Sequence, residues 1–326
     1  MTKIKKLIIT MAIMSTLLVG CGKKEVEEVK TGDTTYTIGI NQLMEHKALE
    51  DAKQGFIDGL EELGVDVEIV DKNAQGEIAN ATTIAQKFVS DDVDMMFAIA
   101  TPAAQASARA SSEIPILFTA VTDAEGAKLV KTNDAPGGNV TGTIDAADVK
   151  SQLEMFKELD PNIENIGIIY NLNEQNSIVQ VEEVESLVDE LGLVLKTIGL
   201  DSINDISQGV RSLLKDVDAV YIVSDNMIAN SIDLLAPELI KNKIISISAE
   251  ESQVAGGILM TNGLKYYDLG KITANMAKEI LVDGKDPSEM AVRMAEDKTI
   301  VVNRKTMEAL GIDENHPLFA DAEFVD

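Results

Sequence analysis

Cysteine is almost absent: Cys21 is the only one in 326 residues, so no disulfide can brace the fold. With two histidines and no CxxC pair, a metal site is not expected. Motifs of hydrolytic catalysis are missing as well. There is no GxSxG, no HExxH and no thiol after residue 21, so the chain does not read as an enzyme. No GxGxxG follows the first strand and no Walker A motif occurs, and no cofactor is expected. Basic residues are outnumbered, 28 Lys and Arg against 55 Asp and Glu. The formal charge of -27 opposes nucleic acid and an anionic membrane surface as main partners. Tryptophan is absent and aromatics make up 4% of the chain, which leaves few rings to stack on a ligand.

What is present begins at the N-terminus. Lys3, Lys5 and Lys6 precede an uncharged run over 7–20, the length of a signal-peptide h-region and too short to cross a bilayer. The run closes on Leu18-Val19-Gly20-Cys21, which resembles a lipobox. Residues 1–20 are then a lipoprotein signal peptide and Cys21 carries a diacylglyceryl anchor; the alternative is an ordinary secretory signal with an accidental cysteine. Residues 21–35 are polar and without apolar periodicity, as in a flexible tether. This reading puts the protein on the extracytoplasmic face of the cell membrane, held by lipid.

From residue 36 onward, short β-branched runs alternate with helical patterns. Strands are predicted at 37–41, 67–71, 95–100, 115–120 and 140–143, and helices at 47–63, 77–90, 103–111 and 124–131. A second series has strands at 166–170, 193–198, 219–223, 244–248 and 257–260, with helices at 174–191, 203–215, 226–241 and 266–282. The series follow one plan. Residues 93–102 (VDMMFAIATP) align with 217–226 (VDAVYIVSDN): an Asp opens an apolar strand, a hydroxyl residue ends it, and a helix starts at once. Alternation of this kind implies an α/β fold with parallel sheets covered by helices, here in two lobes.

Ligands of such sheets bind outside the carboxyl ends of the strands. At Thr101-Pro102-Ala103-Ala104, Pro102 suits a helix start, and the amides of Ala103 and Ala104 are placed to hold a carboxylate. The competing reading makes Thr101 a plain N-cap. Asp225, at the matching edge of the second series, either accepts an ammonium group or caps its own helix. Together the two edges complement the two charges of an α-amino acid. His46, following the first strand, is a ligand contact or a solvated first-turn residue.

Seven segments carry a resemblance: 38–42 (IGINQ), 73–76 (NAQG), 84–88 (IAQKF), 100–105 (ATPAAQ), 118–123 (FTAVTD), 136–142 (PGGNVTG) and 266–270 (YYDLG). They resemble substrate-binding lipoproteins of ABC importers, several described as tryptophan- or aromatic-amino-acid-binding. The resemblance spans 36–312. It implies a type I periplasmic binding protein, with two Rossmann-like lobes joined by three hinge crossings and the ligand cleft between them. It implies ligand contacts at Asn41, Gln42, Thr101, Pro102, Ala103, Ala104, Thr119, Thr122, Asp123, Asn171, Asn176, Ser177, Asp225, Asn226 and Glu250. A ligand ring would pack on Phe118, Tyr170 or Tyr221, or on Met44, Met227 or Met260; the competing reading places Met44 and Met260 in the core.

Lobe 1 is expected over 36–143 plus 263–285 and lobe 2 over 144–262 plus 286–326, with crossings from Gly137 to Asp145 and from Met260 to Gly263, a strand at 299–303 in lobe 2, 313–326 an irregular tail and His316 solvated. The implied function is capture of tryptophan, tyrosine or phenylalanine by a monomer that delivers it to permease and ATPase subunits. The alternatives are a surface adhesin or sensor lipoprotein, or a sugar or nucleoside as the solute.

Overall fold

The computed structural model describes residues 35–295 and 298–326. The signal peptide, Cys21 and all but the last residue of the tether lie outside them.

The chain begins β1 (Tyr36–Gln42), α1 (Lys47–Glu62), β2 (Val67–Asn73), α2 (Ile78–Ser90), β3 (Met95–Ile99), α3 (Thr101–Ala110), β4 (Ile116–Val121), β5 (Val140–Ile144). A second series follows: α4 (Val149–Leu159), β6 (Asn165–Asn171), α5 (Gln175–Leu187), β7 (Val194–Leu200), α6 (Ile206–Leu213), β8 (Ala219–Ile222), α7 (Asn226–Ala229), α8 (Ile232–Lys241), β9 (Ile245–Ser248), α9 (Ser252–Ala255), β10 (Met260–Gly263). Then come α10 (Tyr266–Leu281), β11 (Arg293–Met294), β12 (Thr299–Asn303), α11 (Arg304–Leu310) and β13 (Glu323–Val325). They build a six-stranded sheet, order β11-β5-β4-β3-β1-β2, and a seven-stranded sheet, order β13-β12-β10-β9-β8-β6-β7. Neighbours run parallel except β10 and β12.

Apolar runs become strands covered on both faces. Every residue of β3 and β4 is buried. One face of the first sheet packs Phe56 against Phe97, rings stacked at 3.9 Å, and the other packs Phe88 and Phe118. α1 and α10 approach until backbone touches backbone. A Cβ on Gly55 would lie 2.0 Å from the Tyr267 carbonyl oxygen, and one on Gly270 2.1 Å from that of Ala52. Only glycine permits that spacing, which gives the YYDLG segment a packing reason.

Several expectations are corrected. Residues 124–131 form turns that bury Ala124, Ala127, Leu129 and Val130, not a helix. Asp123 Oδ1 accepts from the Gly126 amide at 2.8 Å and Lys128 has φ 59°, so the chain turns before helical bonding can start. The strand expected at 257–260 begins at Met260, after a turn at Gly257 with φ 109°. The helix expected over 226–241 is two, broken at Asn230–Ser231. α4, β11 and α11 were not anticipated. Residues 286–295 stay with the first sheet rather than passing to lobe 2. β11 pairs with β5, Met290 and Ala295 join the first core, and the Thr141 hydroxyl donates to the Met290 carbonyl at 2.8 Å. The tail is ordered: β13 pairs with β12 and Phe319 is buried. His316 is half-buried, its Nδ1 accepting from the Leu318 amide at 3.2 Å.

Candidate functional site

Carboxyl ends of β1, β3 and β4 face those of β6, β8 and β9 across a cleft. Strand order gives the cleft a direction. The chain changes sheets after β5, between β10 and α10, and between β11 and β12, all at one edge; β2 and β7 lie at the other. The first edge is the hinge end and the second the mouth.

At the hinge end lies a cavity of about 20 Å³, lined by His46, Thr122 and Asp145 from one side and Asn176, Asn226 and Glu250 from the other, with Tyr266 behind. That volume holds one water-sized group. Ala120, also in its wall, has φ 54° where the β4–β5 register breaks. This break turns the end of β4 toward the cavity.

The wiring of the cavity is one-sided. Asn226 Nδ2 donates to Glu174 Oε2 at 2.5 Å, so Asn226 Oδ1 faces His46 Nε2 at 3.0 Å as an acceptor. His46 Nε2 must then carry the proton. Burial pushes the His46 pKa down, so the ring is neutral and Nδ1 is a lone-pair acceptor without a partner. Asn176 Nδ2 donates to the Ser224 carbonyl at 2.7 Å, leaving Oδ1 unpartnered. Asp145 Oδ2 accepts from the Tyr266 hydroxyl at 2.5 Å and Oδ1 has no partner within hydrogen-bond distance, although the Thr122 hydroxyl is near enough to pull the carboxyl pKa down. Burial raises the Asp145 pKa and pushes Glu250 up to about 7, although Ser252 donors pull Glu250 back. Among the described residues, the unpartnered buried side-chain atoms lining this cavity, His46 Nδ1, Asp145 Oδ1 and Asn176 Oδ1, are all acceptors.

Asp225 lines the cavity, but its oxygens are engaged. Oδ1 accepts from the Ile228 amide at 2.9 Å, capping α7; Oδ2 accepts from the Asn171 amide at 2.6 Å and the Ser177 hydroxyl at 2.8 Å. The capping alternative is the one the geometry realises. Asp225→Ala is therefore expected to cost about 2–4 kcal/mol of stability, from a lost cap and two orphaned buried donors. An unchanged thermal midpoint in the ligand-free variant would refute that role.

α3 starts differently from the expectation. Ala100, with φ 83° and ψ 152°, is its N-cap, and Pro102 is its second residue. The Ala104 amide donates to the Ala100 carbonyl at 3.0 Å, so it is not free for a carboxylate. Thr101 does not cap the helix; its hydroxyl is buried and unpartnered.

His46, Thr122, Asn176, Asp225, Asn226 and Glu250 thus meet at the hinge cavity, while Pro102 and Asn171 line a second chamber toward the mouth. Other candidates serve the scaffold. Asn41 Nδ2 donates to the Ala81 carbonyl and Ser107, tying α2 and α3 to β1. Gln42 Nε2 holds the next loop through the Met44 carbonyl and Glu50. Thr119 accepts from Thr143. Phe118, Ala103 and Ala104 are fully buried in the cores, and Ser177 and Asp123 serve the cap and turn already described. Asp145, Tyr266 and Glu174 were missed. Asp145 stood in the sequence as part of a crossing, and Glu174 as a helix start.

Residues 37–325 match the family described as ABC transporter substrate binding protein. The chain is 36% identical over 322 residues to a tyrosine-binding protein of Clostridioides difficile (strain R20291), covering 96% of this chain and 93% of that one. It resembles the ABC domain from Streptococcus pneumoniae in complex with L-Trp, at 32% identity and TM-score 0.86, covering 90% and 100% of the two chains. The ligand-free, open structure of a substrate-binding protein with adhesive properties from Clostridium difficile gives 38% identity but TM-score 0.70, over 89% and 99%. The superposition on that open structure is the poorer of the two despite the higher identity. Contacts across the cleft agree with closure: His46 to Asn226 at 3.0 Å, and Gln105 Nε2 to Gln175 Oε1 at 3.0 Å. With the two-sheet topology of the type I periplasmic binding proteins and a match across nearly all of its folded length, the chain belongs to the ABC transporter substrate-binding protein family.

Proposed function

We propose that this protein captures an aromatic α-amino acid between its lobes and delivers it to an ABC importer. The observation that carries the reading is the set of unpartnered acceptors in a water-sized cavity, which suits an ammonium group: three N–H donors and a positive charge beside Asp145 and Glu250. The ammonium site is thus at the hinge carboxylates rather than at Asp225. The carboxylate is left to donors at the start of α3, where the Thr101 hydroxyl is unpartnered. Relatives that bind tyrosine or hold L-Trp support the aromatic class. In this reading a lipid on Cys21 tethers a monomer outside the membrane, near its permease and ATPase subunits, and no bond is made or broken in the ligand.

A thermal-shift panel tests it. L-tyrosine, L-tryptophan or L-phenylalanine at a thousand times Kd should stabilise the protein by about 4 kcal/mol. N-acetylated amino acids and the deaminated 3-arylpropionates should fail for want of the ammonium, and tyramine and tryptamine for want of the carboxylate. Stabilisation by sugars or nucleosides and by no amino acid would overturn the reading.

A further inference from the structure

We propose that the ligand lies in one direction along the cleft, head group at the hinge and side chain at the mouth, and that Met44 and Met227 select an aromatic side chain there. The inference rests on the amino-acid reading above and adds to it the orientation and the specificity-determining pair.

The mouth chamber has a volume of about 530 Å³, far larger than the hinge cavity beside it. Met44 and Ile78 line it from the first lobe, Ile203 and Met227 from the second. The chambers adjoin along the chain, since His46 follows Met44 by two residues and Met227 follows Asn226 directly. An ammonium among the hinge acceptors therefore leaves the rest of the molecule one direction with space. A methyl or hydroxymethyl side chain leaves most of that chamber unfilled, whereas a phenol or indole occupies it and touches both walls.

Protein rings are not available to do this. Phe118 and Tyr221 are fully buried in the cores, the Tyr221 hydroxyl donating to Gln152 at 2.6 Å, and Tyr170 packs against the second core. Met260 is buried in a core and does not line the chamber, whereas Met227, 6% exposed and packed with a core of its own, does. Among the described residues no aromatic side chain lines the mouth chamber. Thioethers remain, and sulfur makes favourable contacts with ring edges. The backbone is held at both methionines, the Met44 carbonyl accepting from Gln42 Nε2 at 2.7 Å and the Met227 amide donating to Glu174 Oε1 at 3.2 Å, and both side chains pack on a core on the side away from the chamber. Met44 reaches over Gly76, where a Cβ would lie 2.8 Å from its terminal methyl. Ile78 and Ile203, 41% and 43% exposed, extend the apolar wall from either lobe to the rim.

The test compares the full protein with Met44→Ala, Met227→Ala and the Met→Leu variants, by calorimetry against L-tyrosine, L-tryptophan and L-alanine. Each Ala variant should lose about tenfold or more in affinity for the aromatic ligands, with L-alanine changed less than twofold and Leu restoring most of the loss. Because the protein contains no tryptophan, the emission of bound L-tryptophan reports its ring alone. Emission should shift to the blue on binding, and less so in the Ala variants. Aromatic affinity and emission unchanged in both Ala variants would overturn the assignment while leaving amino-acid capture standing. Parallel losses for aromatic ligands and L-alanine would overturn it too, since the variants then damage the head-group site. A wild-type protein that binds no amino acid would overturn both readings.

Discussion

Asp145→Asn is expected to weaken aromatic amino acid binding by about 2–5 kcal/mol, the cost of removing one partner from a desolvated charge pair. Asp145 is 6% exposed, and one of its oxygens is already taken by Tyr266, so the free Oδ1 is the atom that meets the ammonium. Ligand-free stability should move the other way. Burial raises the Asp145 pKa above its ordinary 3.8, and that of Glu250 from 4.5 to about 7. A carboxyl with a raised folded pKa contributes stability that is full below its unfolded pKa and lost as pH rises through the folded one. For Glu250 that window runs from about pH 4.5 to 7. The ligand-free wild type should therefore melt lower at pH 8 than at pH 5 on account of these groups, and Asp145→Asn should lessen the difference. Ligand affinity has the opposite dependence, tightening as pH rises and Glu250 ionises, with a proton released on binding. Calorimetry in buffers of different ionisation enthalpy measures the proton. Wild-type affinity in the folded Asn variant would remove Asp145 from the site.

Glu174→Ala should cause the largest loss of stability, about 3–5 kcal/mol, because it strips acceptors from a buried network. Glu174 is 4% exposed. Its oxygens accept from both nitrogens of Asn226, the Asn176 and Asn171 side-chain amides, and the Met227 amide. Binding should also fall, since Asn226 would lose the bond that orients it and His46 would lose its fixed tautomer. Glu174→Gln keeps one acceptor oxygen and should lose less. Denaturant midpoints report this order; equal midpoints for wild type and Glu174→Ala would reject the network as a support of the lobe.

The layered fold was legible because strands buried on both faces read as unbroken apolar runs, as in MMFAI of β3 and ILFTAV of β4. The false helix at 124–131 has the same origin as the true ones. Ala124, Ala127 and Val130 are buried at helical spacing, but a turn buries them equally well. The site was legible as a place and not as wiring. Strand ends mark the cleft, yet whether an oxygen is free depends on distant partners. Asp225 is occupied by an amide 54 residues away, which local pattern cannot register. Asp145 looked like mere connection because a crossing is read for its backbone, and its side-chain partner is Tyr266, the first residue of α10, 121 residues on.

Bonds between the lobes, His46 to Asn226, Gln105 to Gln175 and Gln175 to the Gly126 carbonyl, join protein to protein. Their strength sets how often the lobes visit the closed form before any solute arrives. Apparent affinity scales with that population whatever the ligand is. Changes at the Gln105–Gln175 contact would therefore tighten or loosen capture of every solute by one common factor, while the ratio between solutes stays with the residues that touch them. Sensitivity and discrimination are separable properties in this protein, the first adjustable at the rim of the lobes and the second within the cleft.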